Sequence, residues 1–320
     1  MDRWTAESDV ARGTRPVVAI GVYDGVHRGH RLLVRRAMAD ARAAGVPSVV
    51  LTFTPNPAEV VRPDAAPTRL STLDHRLRLL GSLGVDATWV LAFDEDLARM
   101  SPEQFVKDVL LGVLGASEVV VGENFRFGRR AAGDVAALAE FGGPGGMTVD
   151  AVPLLRQELL GRADVPISSS EIRGLVADGN VEAAARGLAR PHRVEGTVVA
   201  GAARGRDLGY PTANVAATEL AAIPGDGVYA GRLLVDPYGA GRQVLPAAIS
   251  VGNNPTFGGT ERTLEAYALD APADFDLYDA YVAVDFVSRL RRQMTFTSAA
   301  KLQQQIAADE VEARARLGLG

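Results

Sequence analysis

Two of the four histidines lie three residues apart in the run Gly21-Val22-Tyr23-Asp24-Gly25-Val26-His27-Arg28-Gly29-His30. The run joins an apolar stretch over residues 17–22 to an amphipathic one over 31–44, so it reads as a strand-to-helix turn. Such turns lie at the ligand edge of parallel sheets. The helix start offers free amides and a positive dipole to phosphate oxygens. Gly29 allows close backbone approach, Gly21 and Asp24 flank the pair at this phosphate-binding turn, and His27 and His30 suit charge developing on a pentavalent phosphorus. A lone histidine is more often an ordinary loop residue; the placement of this pair favours the chemical reading.

A second set, Ile167-Ser168-Ser169-Ser170-Glu171-Ile172-Arg173, puts serines before a helical stretch. Serine there caps a helix. The same hydroxyls and amides could hold outer phosphates, with Arg173 adding charge. Further on, Gly201-Ala202-Ala203-Arg204-Gly205-Arg206-Asp207-Leu208-Gly209 leads into Tyr210-Pro211-Thr212-Ala213-Asn214. Gly205 and Gly209 permit amides to fold around phosphate, and Thr212 and Asn214 offer neutral oxygens to a hard cation such as Mg²⁺. Glu265 stands in Thr263-Leu264-Glu265-Ala266-Tyr267-Ala268, where Leu264, Ala266 and Ala268 share the other face. It is either a solvated strand residue or a general base that accepts a proton from an attacking hydroxyl.

The 320 residues suggest two domains at roughly 150 residues each, and 47% hydrophobic with 23% charged residues is ordinary globular composition. The absence of cysteine excludes disulfides, thiolate metal sites and cysteine nucleophiles. The first dozen residues hold no apolar run, so no signal peptide is expected, and no segment has the apolar length of a membrane helix. A cytoplasmic protein is expected. A net charge of −5 argues against a nucleic-acid surface. Lysine occurs only at Lys107 and Lys301, and no G-x-x-x-x-G-K-[ST] loop is present, so phosphates must be met by arginine, histidine, amides or a metal.

Strands expected at residues 17–22, 46–53, 87–92 and 118–121 alternate with helices at 31–44, 73–83 and 102–111, which predicts a doubly wound α/β domain over residues 1–187. After Leu188 the rhythm shortens to alternating runs at 194–200, 228–235, 244–251, 263–269 and 281–287, which predicts a small antiparallel barrel over 188–320. Residues 298–317 read as a terminal helix with Leu302, Ile306 and Val311 on its apolar side.

The first histidine motif and residues 167–173, with Val121-Gly122-Glu123-Asn124-Phe125-Arg126-Phe127-Gly128, resemble the nucleotidylyltransferase half of the bacterial bifunctional riboflavin kinase/FAD synthetase family. Residues 205–214, Gly227-Val228-Tyr229-Ala230, Val251-Gly252-Asn253-Asn254-Pro255-Thr256-Phe257 and the Glu265 strand resemble its riboflavin kinase module. The resemblance implies a Rossmann-like domain and a kinase barrel that use ATP and Mg²⁺ to turn riboflavin into FMN and FMN into FAD. By it, His27 and His30 stabilise transfer at the α-phosphate. Asn124, Phe125 and Arg126 lie by the flavin, Thr212 and Asn214 hold Mg-ATP, and Glu265 activates the riboflavin hydroxyl. Riboflavin, FMN, FAD and ATP are the partners implied, and a homo-oligomer stays open. The family reads Thr-Phe-Asp-Pro-His-Pro where this chain has Thr52-Phe53-Thr54-Pro55-Asn56-Pro57, and Leu-Tyr-Gly where it has Leu277-Tyr278-Asp279. The first difference leaves two other readings: a kinase with impaired adenylyl transfer, and an inactive flavin-binding protein.

Overall fold

The computed structural model describes residues 1–159, 162–200, 212–253, 262–271 and 277–319. Contacts divide it into two bodies, Met1–Pro67 with Leu73–Ile167, and Thr68–Thr72 with Ser168–Gly320.

The first body is built on a sheet. A short strand, Asp2–Trp4 (β1), is followed by Val17–Ile20 (β2), whose four residues are all buried. Parallel strands covered on both faces require such a run. Val18 and Ile20 enter a core on one side and Val17 and Ala19 a core on the other. The helix Arg28–Ala44 (α1) buries Val34, Ala37 and Ala41 and ends at Gly45 in the left-handed region. Next come Ser48–Thr54 (β3), Pro57–Val61 (α2), Leu73–Gly81 (α3), Ala87–Ala92 (β4), Glu95–Arg99 (α4) and Pro102–Gln104 (α5). Helix α5 continues as a π-helix over Phe105–Val113 and is followed by Glu118–Gly122 (β5), Val135–Gly142 (α6) and Thr148–Val152 (β6). The strand order β1-β4-β3-β2-β5-β6 is parallel throughout. Chain direction across the sheet reverses between β2 and β5, which makes the carboxyl ends of these two strands the ligand crevice. A two-stranded ribbon, Arg156–Leu159 (β7) with Arg162–Pro166 (β8), completes this body.

In the second body Ser169–Ala177 (α7) and Val181–Leu188 (α8) precede a closed antiparallel barrel of His192–Val199 (β9), Thr212–Ala217 (β10), Gly227–Val235 (β11), Gln243–Gly252 (β12), Thr263–Ala268 (β13) and Tyr281–Arg292 (β14). The order is β10-β13-β12-β11-β14-β9, with β9 pairing back to β10. Strand β13 alternates strictly, with Leu264, Ala266 and Ala268 inside. Gly196 is forced: a Cβ there would collide with the Ala216 carbonyl where β9 and β10 close the barrel. Thr68–Thr72 lies along the barrel, with Arg69 donating to Leu220 at 2.6 Å and Ala222 donating to Arg69 at 2.8 Å.

The terminal helix runs Ala299–Leu317 with Ser298 as its cap. One expectation fails here, because Val311 is 70% exposed. At about 100° per residue, Leu302, Ile306, Asp309 and Ala313 share the inner face, which turns Val311 outward. Asp309 is buried because Arg291 of β14 donates to it through Nε at 2.9 Å and Nη2 at 2.7 Å. The α/β sheet and the barrel with its terminal helix are the two architectures expected.

Candidate active sites

The loop from β2 to α1 is strained. Tyr23, Gly25 and Val26 have φ of 55°, 77° and 40°, and left-handed geometry in a β-branched residue such as Val26 persists only where its surroundings impose it. The strain delivers His27 to the N-cap of α1, where its Nδ1 accepts the His30 amide at 3.3 Å. That bond leaves the His27 proton on Nε2, a tautomer assigned from the hydrogen-bond pattern. The two imidazoles stack at 3.5 Å and 18°, and Tyr23 packs edge-on against His30 at 5.1 Å. Gly29 is tight, since a Cβ would sit 3.2 Å from the His27 ring. Burial, the neighbouring His27 and the Arg76 guanidinium together hold the His30 pKa well below its usual range. His30 is therefore neutral at pH 7. His30 Nδ1 and the Tyr23 hydroxyl are buried without a hydrogen-bond partner among the described residues. Asp24 is also buried in this loop. The arrangement brings His27, His30, Gly21, Asp24 and Gly29 to one strand-helix junction as expected.

Beside it a cavity of about 830 Å³ opens, lined by Gly21 and Val22 after β2, Phe53 of β3, residues of α2, and Phe125 and Arg126 after β5. Phe53 meets Phe93 edge-on at 5.9 Å, and Phe125 stacks with Phe127 at 5.7 Å and 13°. Phe127 is buried in the core, whereas Phe125 is only partly covered. An apolar, aromatic chamber rimmed by Arg62, Arg126, Arg129 and Arg130, with Arg99 paired to Glu95, suits a flat heteroaromatic carrying negative charge. Arg126 also lies 3.5 Å from Asp134. Asn124 is exposed and is not part of the lining. Asn56, at the departure from the family pattern, caps α2 by accepting from the Ala58 amide at 3.0 Å.

Sequence reading missed Arg76 and Thr52. Arg76 is 4% exposed and donates to the Phe53 carbonyl at 3.0 Å and to Thr52 Oγ1 at 3.4 Å, while Thr52 Oγ1 donates to the Val22 carbonyl at 3.0 Å. A helical arginine ordinarily reads as solvated, and nothing in its spacing signals otherwise.

In the second body Ser168 caps α7, accepting from the Glu171 amide at 3.2 Å, and Arg173 donates to Ser170 Oγ at 3.3 Å. The capping reading of Ser168 thus holds, and the half-buried Ser169 and exposed Ser170 stand beside it at the helix start. On the barrel, the register sets Asn214 of β10 directly opposite Glu265 of β13 and Thr212 opposite Tyr267. Paired residues share a face, with Cβ atoms about 5 Å apart. Thr212, Asn214 and Glu265 therefore meet on one half-buried outer face. Ser250 of β12 faces Glu265 from the other side, and Thr263 Oγ1 donates to Glu265 Oε1 at 3.2 Å. Ser250 was not singled out by sequence, because strand pairing is not written in spacing. Gly205 and Gly209, with Asn254 to Phe257, lie outside the described residues.

A Rossmann-like sheet with a histidine-capped helix start, joined in one chain to a small barrel bearing a carboxylate among hydroxyls, defines a nucleotide-dependent phosphorus-transfer protein. The FAD synthetase family matches residues 10–170 and the riboflavin kinase family residues 188–317. The bifunctional riboflavin kinase/FMN adenylyltransferase of Escherichia coli K12 is 35% identical over 303 residues, covering 95% of this chain and 93% of that protein. That of Pseudomonas fluorescens is 37% identical, covering 93% and 92%. The chain belongs to the bifunctional riboflavin kinase/FMN adenylyltransferase family. A solved structure from Streptococcus pneumoniae, described as a macrolide-efflux protein, superposes with a TM-score of 0.83 at 31% identity over 98% of both chains. Among the described residues of this chain, no helix is long and apolar enough to cross a membrane.

Proposed function

We propose that the barrel phosphorylates riboflavin and the α/β body adenylylates the resulting FMN, each with ATP, and that the functional boundary falls at 187/188, where the riboflavin kinase match begins. The observation that supports two reactions is that each body assembles a reactive set of its own: the stacked His27–His30 pair, and the Thr212–Asn214–Glu265 face.

In the barrel, Glu265 takes the proton of the riboflavin 5′-hydroxyl as that oxygen bonds to the γ-phosphorus of ATP; the bond to the β–γ bridging oxygen breaks and ADP leaves. Thr212, Asn214 and Glu265 form an oxygen-only donor set that fits Mg²⁺ and would not select a soft metal. Thr212 and Asn214 would hold the ion, which when bound neutralises phosphate charge. Gly205 and Gly209 are proposed to close amides around the phosphates.

In the α/β body an FMN phosphate oxygen bonds to the α-phosphorus of ATP, and pyrophosphate leaves as the α–β bridge breaks. His27 and His30 donate N–H bonds to the oxygens that gain charge, already oriented before the reaction begins. Gly21, Asp24 and Gly29 shape the phosphate turn, while Asn124, Phe125 and Arg126 are proposed for the flavin. Ser168, Ser169, Ser170 and Arg173, which head α7 in the second body, are proposed to contact ATP phosphates through their hydroxyls, amides and charge. Incubation of the pure protein with riboflavin, ATP and Mg²⁺ tests the reading: FMN followed by FAD is expected. FMN alone overturns the second reaction, and flavin binding without turnover overturns both.

A further inference from the structure

The β2–β3 ladder stops at the Ile20–Leu51 pair, closed by the Gly21 amide donating to Leu51 at 3.1 Å. Beyond it the two strands diverge. β3 runs on beside β4, with Phe53 paired to Leu91, while β2 turns into the strained loop that carries the histidines. The backbone at this fork is held by side chains. The Val22 carbonyl receives the Thr52 hydroxyl, and both Thr52 and the Phe53 carbonyl receive Nη1 of Arg76, which comes from α3. Thr52 is fully buried and Arg76 nearly so. A neutral amide could satisfy one carbonyl; burying a guanidinium is a costly way to do it, and fixing a specific arrangement is one role that retains such a charge. Val22 and Phe53 both line the cavity beside the histidine pair.

We propose that Arg76 is a positioning residue for adenylyl transfer: through Thr52 and Phe53 it fixes the fork between β2 and β3, and so the frame from which His27 and His30 act. The inference rests on the adenylyl-transfer reading of the α/β body. Its charge also helps keep His30 neutral, after burial and His27. Displacing such a frame by about 1 Å costs on the order of 100-fold in rate.

The test measures kcat and KM for FAD formation from FMN and ATP, with riboflavin phosphorylation by the same protein as the internal control. In Arg76→Met the kcat for FAD formation is expected to fall roughly 10- to 100-fold. KM values should stay within about threefold and riboflavin phosphorylation should be unchanged. Arg76→Lys, which keeps charge and one donor, should recover most of the loss, and Thr52→Val should show a smaller loss of the same kind. Unchanged kcat in Arg76→Met, or a lysine variant no better than the methionine one, overturns the proposal. Should Arg76→Met not fold, judged by the fluorescence of the buried Trp4 and Trp89, the other two variants decide, and wild-type kcat in both overturns it. A wild-type chain that forms no FAD instead sinks the adenylyl-transfer reading, and this proposal with it.

Discussion

Glu265 sits half-covered on a strand face whose neighbours are hydroxyls and an amide, within reach of a hydroxyl brought to that face. Glu265→Gln keeps the shape and removes the base. Riboflavin phosphorylation should fall by roughly 10²- to 10⁴-fold in kcat, while FAD formation from supplied FMN is unchanged. Equal loss of both activities would count against a barrel-specific role. Asn56 presents a different case, because its amide oxygen already satisfies the Ala58 N–H at the start of α2, a wall of the cavity. Asn56→Ala should cost about 1 kcal/mol, read as a lower melting temperature by tryptophan fluorescence. The residues legible in the sequence were those in contiguous motifs at element ends: His27 with His30, and Phe125 with Arg126 after β5. Arg76, Thr52 and Ser250 were not, since their roles come from strand pairing and burial between segments distant in the chain.

Elements were read well where one periodicity dominated. The all-apolar run of β2 and the strict alternation of β13 announce their environments. The terminal helix lies where the sequence places it, with Leu302 and Ile306 inside, yet Val311 faces out because the most buried positions are Asp309 and Ala313. A carboxylate that earns its burial only through Arg291 cannot be recognised without the partner strand. That pairing carries a prediction: Asp309→Ala leaves a largely buried guanidinium without its carboxylate and should destabilise the barrel by about 3 kcal/mol. Urea unfolding followed by tyrosine near-ultraviolet circular dichroism measures it, and a change below about 1 kcal/mol would reduce the pair to a surface contact.

Across the whole chain the two bodies carry separate reporters. Both tryptophans, Trp4 and Trp89, are in the α/β body, and six of the seven tyrosines belong to the other. The change of rhythm near residue 188 conveys a two-part chain, but not that α7 and α8 belong to the barrel body, nor the strand order that sets the crevice between β2 and β5, nor the pairing that closes the barrel. Histidines also divide unevenly: His27, His30 and His75 lie in the first body, and His192 alone in the second. His192 is 1% exposed, bonds the Ala222 carbonyl through Nε2 at 2.6 Å, and has its pKa pushed down to about 4, chiefly by burial. A neutral histidine that must charge on unfolding stabilises fully above its unfolded pKa of about 6.5, and that contribution drains away as pH falls towards 4. At full effect this amounts to roughly 3 kcal/mol. Between pH 6.5 and 5 ordinary carboxylates remain ionised, so an acid-induced fall in the tyrosine-reported melting temperature over that range should trace to His192. His192→Gln retains a donor for the Ala222 carbonyl but cannot titrate, and should flatten the slope. A slope that persists in the glutamine variant would place the acid sensitivity elsewhere in the barrel body and contradict the buried, neutral imidazole.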